Sequence, residues 1–98
     1  MCRYFFTRKA IEDLSQIWNY TYNAWSERQA DKYYNLLISE CKKIAKIPNI
    51  GKIYEQIHND VLGYKIGRHI IFYRIITEKE IEIVRILHER MDTKSKKK

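Results

Sequence analysis

The spacing of the apolar residues changes once along this chain of 98 residues. Up to about residue 47, apolar residues recur every three to four positions, which is typical of amphipathic helices. From Val61 onward they alternate with polar residues or form short runs rich in Ile, Tyr and Val, which is typical of strands. A chain of this length has room for one compact domain with one core. The sequence therefore predicts a single α+β domain with both helices before most of the strands.

Two helices are predicted in the first half of the chain, after a short strand from Arg3 to Thr7. The stripe expected to pack in the first helix comprises Ile11, Leu14, Trp18, Tyr22 and Trp25. Ser26 and Gln29 form a capping box that starts the second helix, which Pro48 and Gly51 end. The stripe of the second helix comprises Ala30, Tyr33, Tyr34, Leu37, Cys41 and Ile44. Because few residues separate the helices, we expect an antiparallel hairpin.

Three further strands are predicted from Leu62 to Gly67, from His69 to Ile76 and from Glu80 to Leu87. The short turns between them indicate an antiparallel meander, whereas residues 51–60 have no clear period and are predicted to form a loop. A helical hairpin and a sheet each have one apolar face, so packing them together buries both. The predicted fold has the order β-α-α-β-β-β, with the hairpin on a mainly antiparallel four-stranded sheet. The other sheet face is expected to be free for function.

The positive charge is concentrated at the end of the chain. The net charge is +7, and residues 94–98 carry four lysines, so residues 1–93 hold only +3. Terminal lysine runs are usually solvated and increase attraction to polyanions or acidic partners. We therefore predict one domain over residues 1–93 and a basic disordered tail over residues 94–98.

Composition and motifs argue against several classes of protein. Cys2 and Cys41 are too few for a secreted disulfide scaffold, and the start of the chain does not resemble a signal peptide, so a cytoplasmic protein with reduced thiols is expected. Together with the histidines, the cysteines match no zinc-binding spacing, so no metal and no other cofactor is predicted. The apolar runs are too short to span a bilayer. A glycine-rich phosphate loop and a nucleophile elbow are both missing.

Ionisable residues are dense at the end of the last strand. Strict alternation places Arg85 on the same side as Ile81 and Ile83, which requires either a bulge that redirects it or an acidic partner. The cluster comprises Arg68, His69, Arg85, His88, Glu89, Arg90 and Asp92. Such residues could serve a ribonuclease, with arginines stabilising phosphate charge and a histidine transferring protons. They could equally form a strand end held by hydrogen bonds and charge pairs, and the residues alone leave both readings open.

The order of the elements and three segments resemble the RelE/ParE superfamily of bacterial toxins. The segments run from Trp18 to Tyr20, from Gly67 to Arg74 and from Ile83 to Asp92. Within the last two, the patterns Arg-His-x-Ile-x-Tyr and Ile-Leu-His-x-Arg-Met-Asp are similar to the ParE branch in particular. The resemblance covers nearly the whole chain.

The resemblance implies the toxin of a type II toxin-antitoxin system in the bacterial cytoplasm. ParE-like toxins block DNA gyrase by binding and are neutralised by a cognate antitoxin such as a ParD-like protein. RelE-like toxins share the fold but cut messenger RNA on the ribosome. The alternative implied here is therefore a ribosome-dependent endoribonuclease, with Arg68, Arg85 and His88 as its catalytic residues. Glu89 follows His88 where RelE-like enzymes have a tyrosine, which favours the gyrase inhibitor.

Two sets of binding residues follow from these considerations. The predicted target-binding residues are Arg68, His69, Tyr73, Arg85, His88 and Arg90. The predicted antitoxin-binding residues are Tyr20 and Leu36, which point away from the apolar stripes of their helices. Exposed apolar side chains on a small domain often mark a partner surface.

Overall fold

A computed structural model of the chain describes residues 2–54 and 60–89. The first half holds strand β1 (Arg3–Phe6), helix α1 (Arg8–Ala24), helix α2 (Glu27–Lys46) and a 3₁₀ turn (Pro48–Ile50). The second half holds strands β2 (Lys52–Ile53), β3 (Leu62–Ile66), β4 (His69–Thr77) and β5 (Glu80–His88). The predicted tail, residues 94–98, and Arg90 lie outside the described residues.

The described strands form one sheet in the order β1-β5-β4-β3-β2. Strand β1 pairs parallel with β5, and the other neighbours are antiparallel. The α+β class and the hairpin on a mainly antiparallel sheet are confirmed. The predicted strand number was one too low, because Lys52 and Ile53 pair with β3 inside the segment predicted to be a loop. A two-residue strand is too short to show an alternating pattern in sequence.

Both helices begin at the residues that the sequence predicts. Thr7 caps α1, where its hydroxyl accepts a hydrogen bond from the backbone N–H of Ala10 at 3.0 Å. Ser26 caps α2 in the same way through the N–H of Gln29 at 3.1 Å. Side-chain acceptors at this position satisfy N–H groups that the first helical turn leaves unpaired. The two caps therefore determine where the hairpin starts and where it turns.

The main core lies between the helical hairpin and the sheet. It is formed by Ala10, Leu14, Leu37, Cys41, Ile44, Ala45, Ile71, Tyr73, Ile81, Ile83 and Ile86. Burial raises the pKa of the Cys41 thiol to about 12, so this residue acts as a small apolar group. The α2 stripe is confirmed at most of its positions, although Tyr34 is largely exposed. The predicted α1 stripe is mostly wrong, because Ile11, Tyr22 and Trp25 are exposed.

The packed face of α1 is rotated relative to its aromatic stripe. Small Ala10 lets the helix approach the sheet, and Asp13 beside it is 8% exposed because its carboxylate binds groups of β5. The aromatic stripe carries Trp18 stacked on Tyr22, with ring centroids 5.2 Å apart. Trp18 is half-buried and donates to Asp31 of α2 at 3.0 Å. A polar contact therefore overrides the hydrophobic periodicity in deciding which side of α1 is buried.

The second face of the sheet is partly covered, which corrects the expectation that it is free. Val61, Ile70 and Phe72 are buried in a second cluster, with Tyr54 and Leu87 packed against them. The Tyr54 and Phe72 rings meet edge to face, with their centroids 5.2 Å apart. Strand β4 is consequently buried on both faces from Ile70 to Tyr73. The free surface must be sought at the end of the sheet.

Candidate functional site

A cleft of about 820 Å³ lies between the turn of the helical hairpin and the end of the sheet where the β3–β4 turn meets the end of β5. We call it the hairpin-tip cleft. The helices line it with Asp13, Gln16, Ile17, Tyr20, Thr21, Trp25, Gln29 and Tyr33. The sheet lines it with Gly67, Arg68, His69, Arg85, Ile86, Leu87 and His88. Four of the predicted target-binding residues and one predicted antitoxin-binding residue therefore share a single cleft.

A β-bulge in β5 determines where Arg85 points. Phe72 pairs with Arg85 and Tyr73 pairs with Ile83, so Val84 is the extra residue. The hydroxyl of Thr7 donates to the carbonyl oxygen of Val84 at 2.8 Å and so links the bulge to the start of α1. The bulge shifts the alternation, so that Ile86 takes the core position and Arg85 turns toward the cleft.

Arg85 also has the acidic partner that the sequence required. Its Nε and Nη2 donate to the two carboxylate oxygens of Asp13 at 2.8 and 3.0 Å. The same carboxylate accepts the backbone N–H of Ile86 at 3.0 Å. Two-pronged guanidinium-carboxylate pairs are strong and geometrically specific. Asp13 thus joins α1 to β5 and holds the guanidinium of Arg85 in one orientation at the wall of the cleft.

Two histidines and a tyrosine meet beside Arg68. The Tyr33 hydroxyl lies 2.7 Å from Nδ1 of His69, and the His69 and His88 rings meet edge to face at 5.3 Å. Burial and, second, the charge on His88 lower the pKa of His69 to about 4. Burial also raises the pKa of Tyr33. Both groups are therefore neutral at pH 7, and the positive charge at this side of the cleft comes mainly from Arg68.

The lowered pKa of His69 predicts a pH-dependent stability. The unfolded chain, with a histidine pKa near 6.5, binds a proton that the folded protein does not bind until about pH 4. The contribution of neutral His69 to the free energy of unfolding is therefore full above pH 6.5 and is lost as the pH falls toward 4. Urea unfolding of the protein and of His69→Gln, measured at several pH values, should show the two stability curves converging in this window. Parallel curves would contradict the prediction.

The exposed residues of the cleft include a cation and two aromatic rings. Tyr20, in the last turns of α1, is 72% exposed, and Trp25, directly after the helix, is 74% exposed. Arg68 is exposed in the β3–β4 turn. The hydrogen bond from Lys65 and, more weakly, the charge of Arg68 lower the pKa of the Glu89 carboxyl group. Large aromatic side chains and arginines are the residues that most often contribute strongly to protein interfaces. The cleft therefore has the composition of a binding surface.

Comparison with known proteins identifies the family. The family described as the ParE toxin of type II toxin-antitoxin systems, parDE, matches residues 4–93. The chain belongs to the ParE toxin family. Toxin ParE1 of Mycobacterium tuberculosis strain H37Rv is 36% identical over 90 residues, which are 92% of each chain. Toxin ParE1 of Caulobacter vibrioides is 32% identical over 92 residues, which are 94% of each chain.

Solved structures show the same fold. One chain in the structure of the chromosomal ParDE toxin-antitoxin system from P. aeruginosa superimposes on this chain with a TM-score of 0.75 at 23% sequence identity. The match covers 90% of this chain and 96% of that chain. The RelBE2 toxin-antitoxin complex of M. tuberculosis matches with a TM-score of 0.69 at 18% identity, over 89% of this chain and 96% of that chain. At these identities the likeness shows the fold that ParE and RelE toxins share. No helix in the described part of the chain is long and apolar enough to cross a membrane.

The ParE fold separates the residues that the sequence grouped for target binding. Arg68, His69, Arg85 and His88 line the cleft, whereas Tyr73 is fully buried and offers no surface to a partner. The Tyr73 hydroxyl donates to the carbonyl oxygen of Pro48 and accepts the N–H of Gly51, so its polar group is used inside the fold. We correct the prediction for this residue to a structural role. Arg90 lies beyond the described residues.

The structure adds two residues that sequence reasoning missed. Asp13 was not singled out, although a carboxylate beside the apolar stripe of a helix is a signal for a buried partner. Tyr33 was assigned to the core stripe of α2, yet its hydroxyl reaches His69 in the cleft. Its partner is 36 positions away, so no local pattern could have revealed the contact.

Proposed function

We propose that this ParE toxin acts by binding DNA gyrase and that a cognate antitoxin holds it inactive. Membership of the ParE family carries the proposal, because the sequence resemblance implies gyrase as the target of ParE-like toxins. The surface that we assign to the target is the hairpin-tip cleft, with Arg68, His69, Arg85 and His88. Arg90 follows this surface directly in the sequence and remains part of the proposal.

The state of the cleft residues favours binding over catalysis. A general base works best when its pKa is near the working pH, and a pKa of about 4 makes His69 a weak base at pH 7. Burial raises the pKa of Tyr33, so its hydroxyl stays protonated at pH 7 and no phenolate is available as a base. The guanidinium of Arg85 is already held by Asp13, which limits its use for phosphate charge. These observations support a toxin that acts as a non-enzymatic inhibitor.

The antitoxin is proposed to bind along the hairpin at Tyr20 and Leu36. Tyr20 forms part of the rim of the cleft, and Leu36 is 38% exposed on α2. Leu36 follows Gln29 and Tyr33 by seven and three residues, so all three lie on one side of α2. Because Gln29 and Tyr33 line the cleft, the surface continues from the cleft to Leu36. A helix of the antitoxin could follow this path.

A ribosome-dependent endoribonuclease is the second candidate, and one observation favours it. The Tyr33 hydroxyl and His69 are in hydrogen-bond contact beside two arginines, which places a tyrosine-histidine pair where phosphate charge could be stabilised. The sequence alone suggested no tyrosine for this role. The likeness to the RelBE2 toxin-antitoxin complex concerns the fold alone.

Two assays separate these functions. Toxin freed of antitoxin is incubated with purified gyrase, relaxed plasmid and ATP, and in parallel with ribosomes carrying a messenger. We expect blocked supercoiling or trapped cleaved DNA in the first assay and intact messenger in the second. Arg68→Glu should weaken inhibition about tenfold or more, because charge reversal at an interface removes an attractive contact and adds a repulsive one. Lys42→Glu is the matched control, since Lys42 is exposed on α2 and does not line the cleft.

One outcome of these assays rejects gyrase as the target, and another rejects the cleft as the binding surface. Messenger cleavage without an effect on gyrase would assign the ribonuclease function instead. His88→Ala should then reduce turnover about a hundredfold while ribosome binding persists, as expected for a group that transfers protons. Equal inhibition of gyrase by Arg68→Glu and Lys42→Glu would keep the target but move its binding surface away from the cleft.

A further inference from the structure

Two histidines from neighbouring strands meet at the end of the sheet. His69 is the first residue of β4 and His88 is the last residue of β5, and the two are direct partners in the antiparallel pairing. Their rings meet edge to face with centroids 5.3 Å apart, and both residues are half-buried at the hairpin-tip cleft. Their spacing in the chain matches no zinc-binding motif, so only the pairing of β4 with β5 reveals them as a pair.

The cross-strand pairing gives both imidazoles access to one ion. Directly opposite residues of an antiparallel pair have Cβ atoms about 5 Å apart. Imidazole nitrogens bind zinc at about 2 Å, so two ligands of one ion lie roughly 3 Å from each other. Two rings whose centroids are 5.3 Å apart can meet this requirement through small rotations of their side chains. The pair therefore has the reach of a two-histidine metal site.

Tyr33 determines which nitrogen of His69 is available to an ion. The Tyr33 hydroxyl lies 2.7 Å from Nδ1 of His69, which leaves Nε2 for an ion. Histidines that bind metals usually donate from their second ring nitrogen to a fixed oxygen, which holds the ring in place. The Tyr33 oxygen can accept this hydrogen bond while its own proton points to the carbonyl oxygen of Ile66, at 3.5 Å. His69 thus already has the supporting contact that metal-binding histidines use.

His69 is also in the protonation state that a metal ion requires. Burial and, second, the charge on His88 lower the pKa of His69 to about 4, whereas the carboxylates of Glu89 and Asp13 act in the opposite direction. The imidazole is therefore neutral at pH 7, and an ion does not have to displace a proton from it. The two carboxylates supply nearby negative charge that attracts a cation.

We propose that His69 and His88 bind one divalent transition-metal ion of the class that imidazole suits, represented by Zn²⁺. Among residues 2–54 and 60–89, no group of three or more His, Cys, Asp and Glu side chains could hold a metal ion. The described residues therefore supply two ligands, and water or another ligand occupies the remaining positions. Because both histidines line the hairpin-tip cleft, a bound ion would occupy part of the surface assigned to the target.

The test titrates toxin freed of antitoxin with Zn²⁺ and follows binding by calorimetry and the histidine ring signals by NMR. Every protein tested carries Cys2→Ser, because the exposed thiol of Cys2 can bind zinc by itself. We expect one ion per chain, with the ring signals of His69 and His88 shifting together. His69→Ala and His88→Ala should each weaken binding at least about tenfold, because even the loss of an outer contact to a metal ligand has an effect of this size.

Two further variants separate this site from general histidine chemistry. His58→Ala removes the remaining histidine of the chain and should leave the affinity within about threefold, the range of a neutral substitution. Tyr33→Phe keeps the ring but removes the oxygen beside Nδ1 of His69, so it should weaken binding about tenfold. Circular dichroism and urea unfolding confirm that each variant is folded.

Three results would overturn the metal site. Unchanged affinity in both His69→Ala and His88→Ala would mean that the ion binds elsewhere. An equal loss in His58→Ala would mean that zinc responds to the number of histidines and not to this pair. A lack of binding at millimolar Zn²⁺ would mean that the two rings do not share an ion. These measurements involve neither gyrase nor the antitoxin, so their outcome is independent of the proposed function.

Discussion

Replacing Asp13 with alanine is expected to lower the free energy of unfolding by about 3 kcal/mol. The carboxylate accepts two hydrogen bonds from Arg85 and one from the backbone N–H of Ile86, and it is 8% exposed. Its removal leaves the buried N–H of Ile86 without this acceptor and the guanidinium of Arg85 without its counter-charge. Both losses act at the bulge that joins α1 to β5. Urea unfolding followed by circular dichroism measures the change.

The control for Asp13 is its neighbour in the helix. Glu12 is exposed, so Glu12→Ala should change the free energy of unfolding by less than about 0.5 kcal/mol. Asp13→Asn keeps the size of the side chain but removes its charge, and its effect should fall between those of the two alanine variants. A loss below about 1 kcal/mol for Asp13→Ala would mean that the contact with Arg85 contributes little to the fold.

Tyr73→Phe is expected to lower the free energy of unfolding by about 2 kcal/mol. The Tyr73 ring is fully buried, and its hydroxyl bridges the carbonyl oxygen of Pro48 and the N–H of Gly51. Phenylalanine keeps the apolar packing but leaves both backbone groups without this partner. The segment between α2 and β2 should loosen as a result. Amide hydrogen exchange at Gly51 should accelerate together with the loss of stability in urea.

Binding measurements distinguish this structural role of Tyr73 from the target-binding role that the sequence suggested. Tyr73→Phe should bind the target and the antitoxin with unchanged affinity at a temperature where the variant is folded. Tyr22→Phe serves as the control for stability, because Tyr22 is 48% exposed and should change stability little. A binding defect in folded Tyr73→Phe, with stability unchanged, would return this residue to the target surface.

A substitution of Arg85 is expected to change both stability and binding, whereas a substitution of Arg68 is expected to change mainly binding. Arg85→Ala removes a group from the cleft and also leaves the buried carboxylate of Asp13 without its partner. A loss of toxicity in that variant therefore reports on folding unless its stability is measured. Arg68 is exposed, so its replacement tests binding more directly.

Local chemistry allowed much of the fold to be predicted from sequence. Ser26 marks the start of α2 because its side-chain oxygen accepts a hydrogen bond from a backbone N–H of the first helical turn. Pro48 ends it because the proline ring is incompatible with a continuing helix. The change of apolar period at Val61 separates the helices from the meander. The segment from Ile83 onward carries the resemblance to ParE toxins, which the family match confirms.

Contacts between distant residues were decided only by the tertiary structure. Strict alternation placed Arg85 among apolar residues of β5, which required either a bulge or an acidic partner. The structure has both, and the acidic partner is Asp13, 72 positions away. Tyr73 belongs to a sequence pattern that suggested function, yet it is fully buried in the main core between the helical hairpin and the sheet. Periodicity reports which residues can share a face of an element. Which face is covered depends on the neighbouring elements, and here Asp13 selects the face of α1 that packs by binding the bulge in β5.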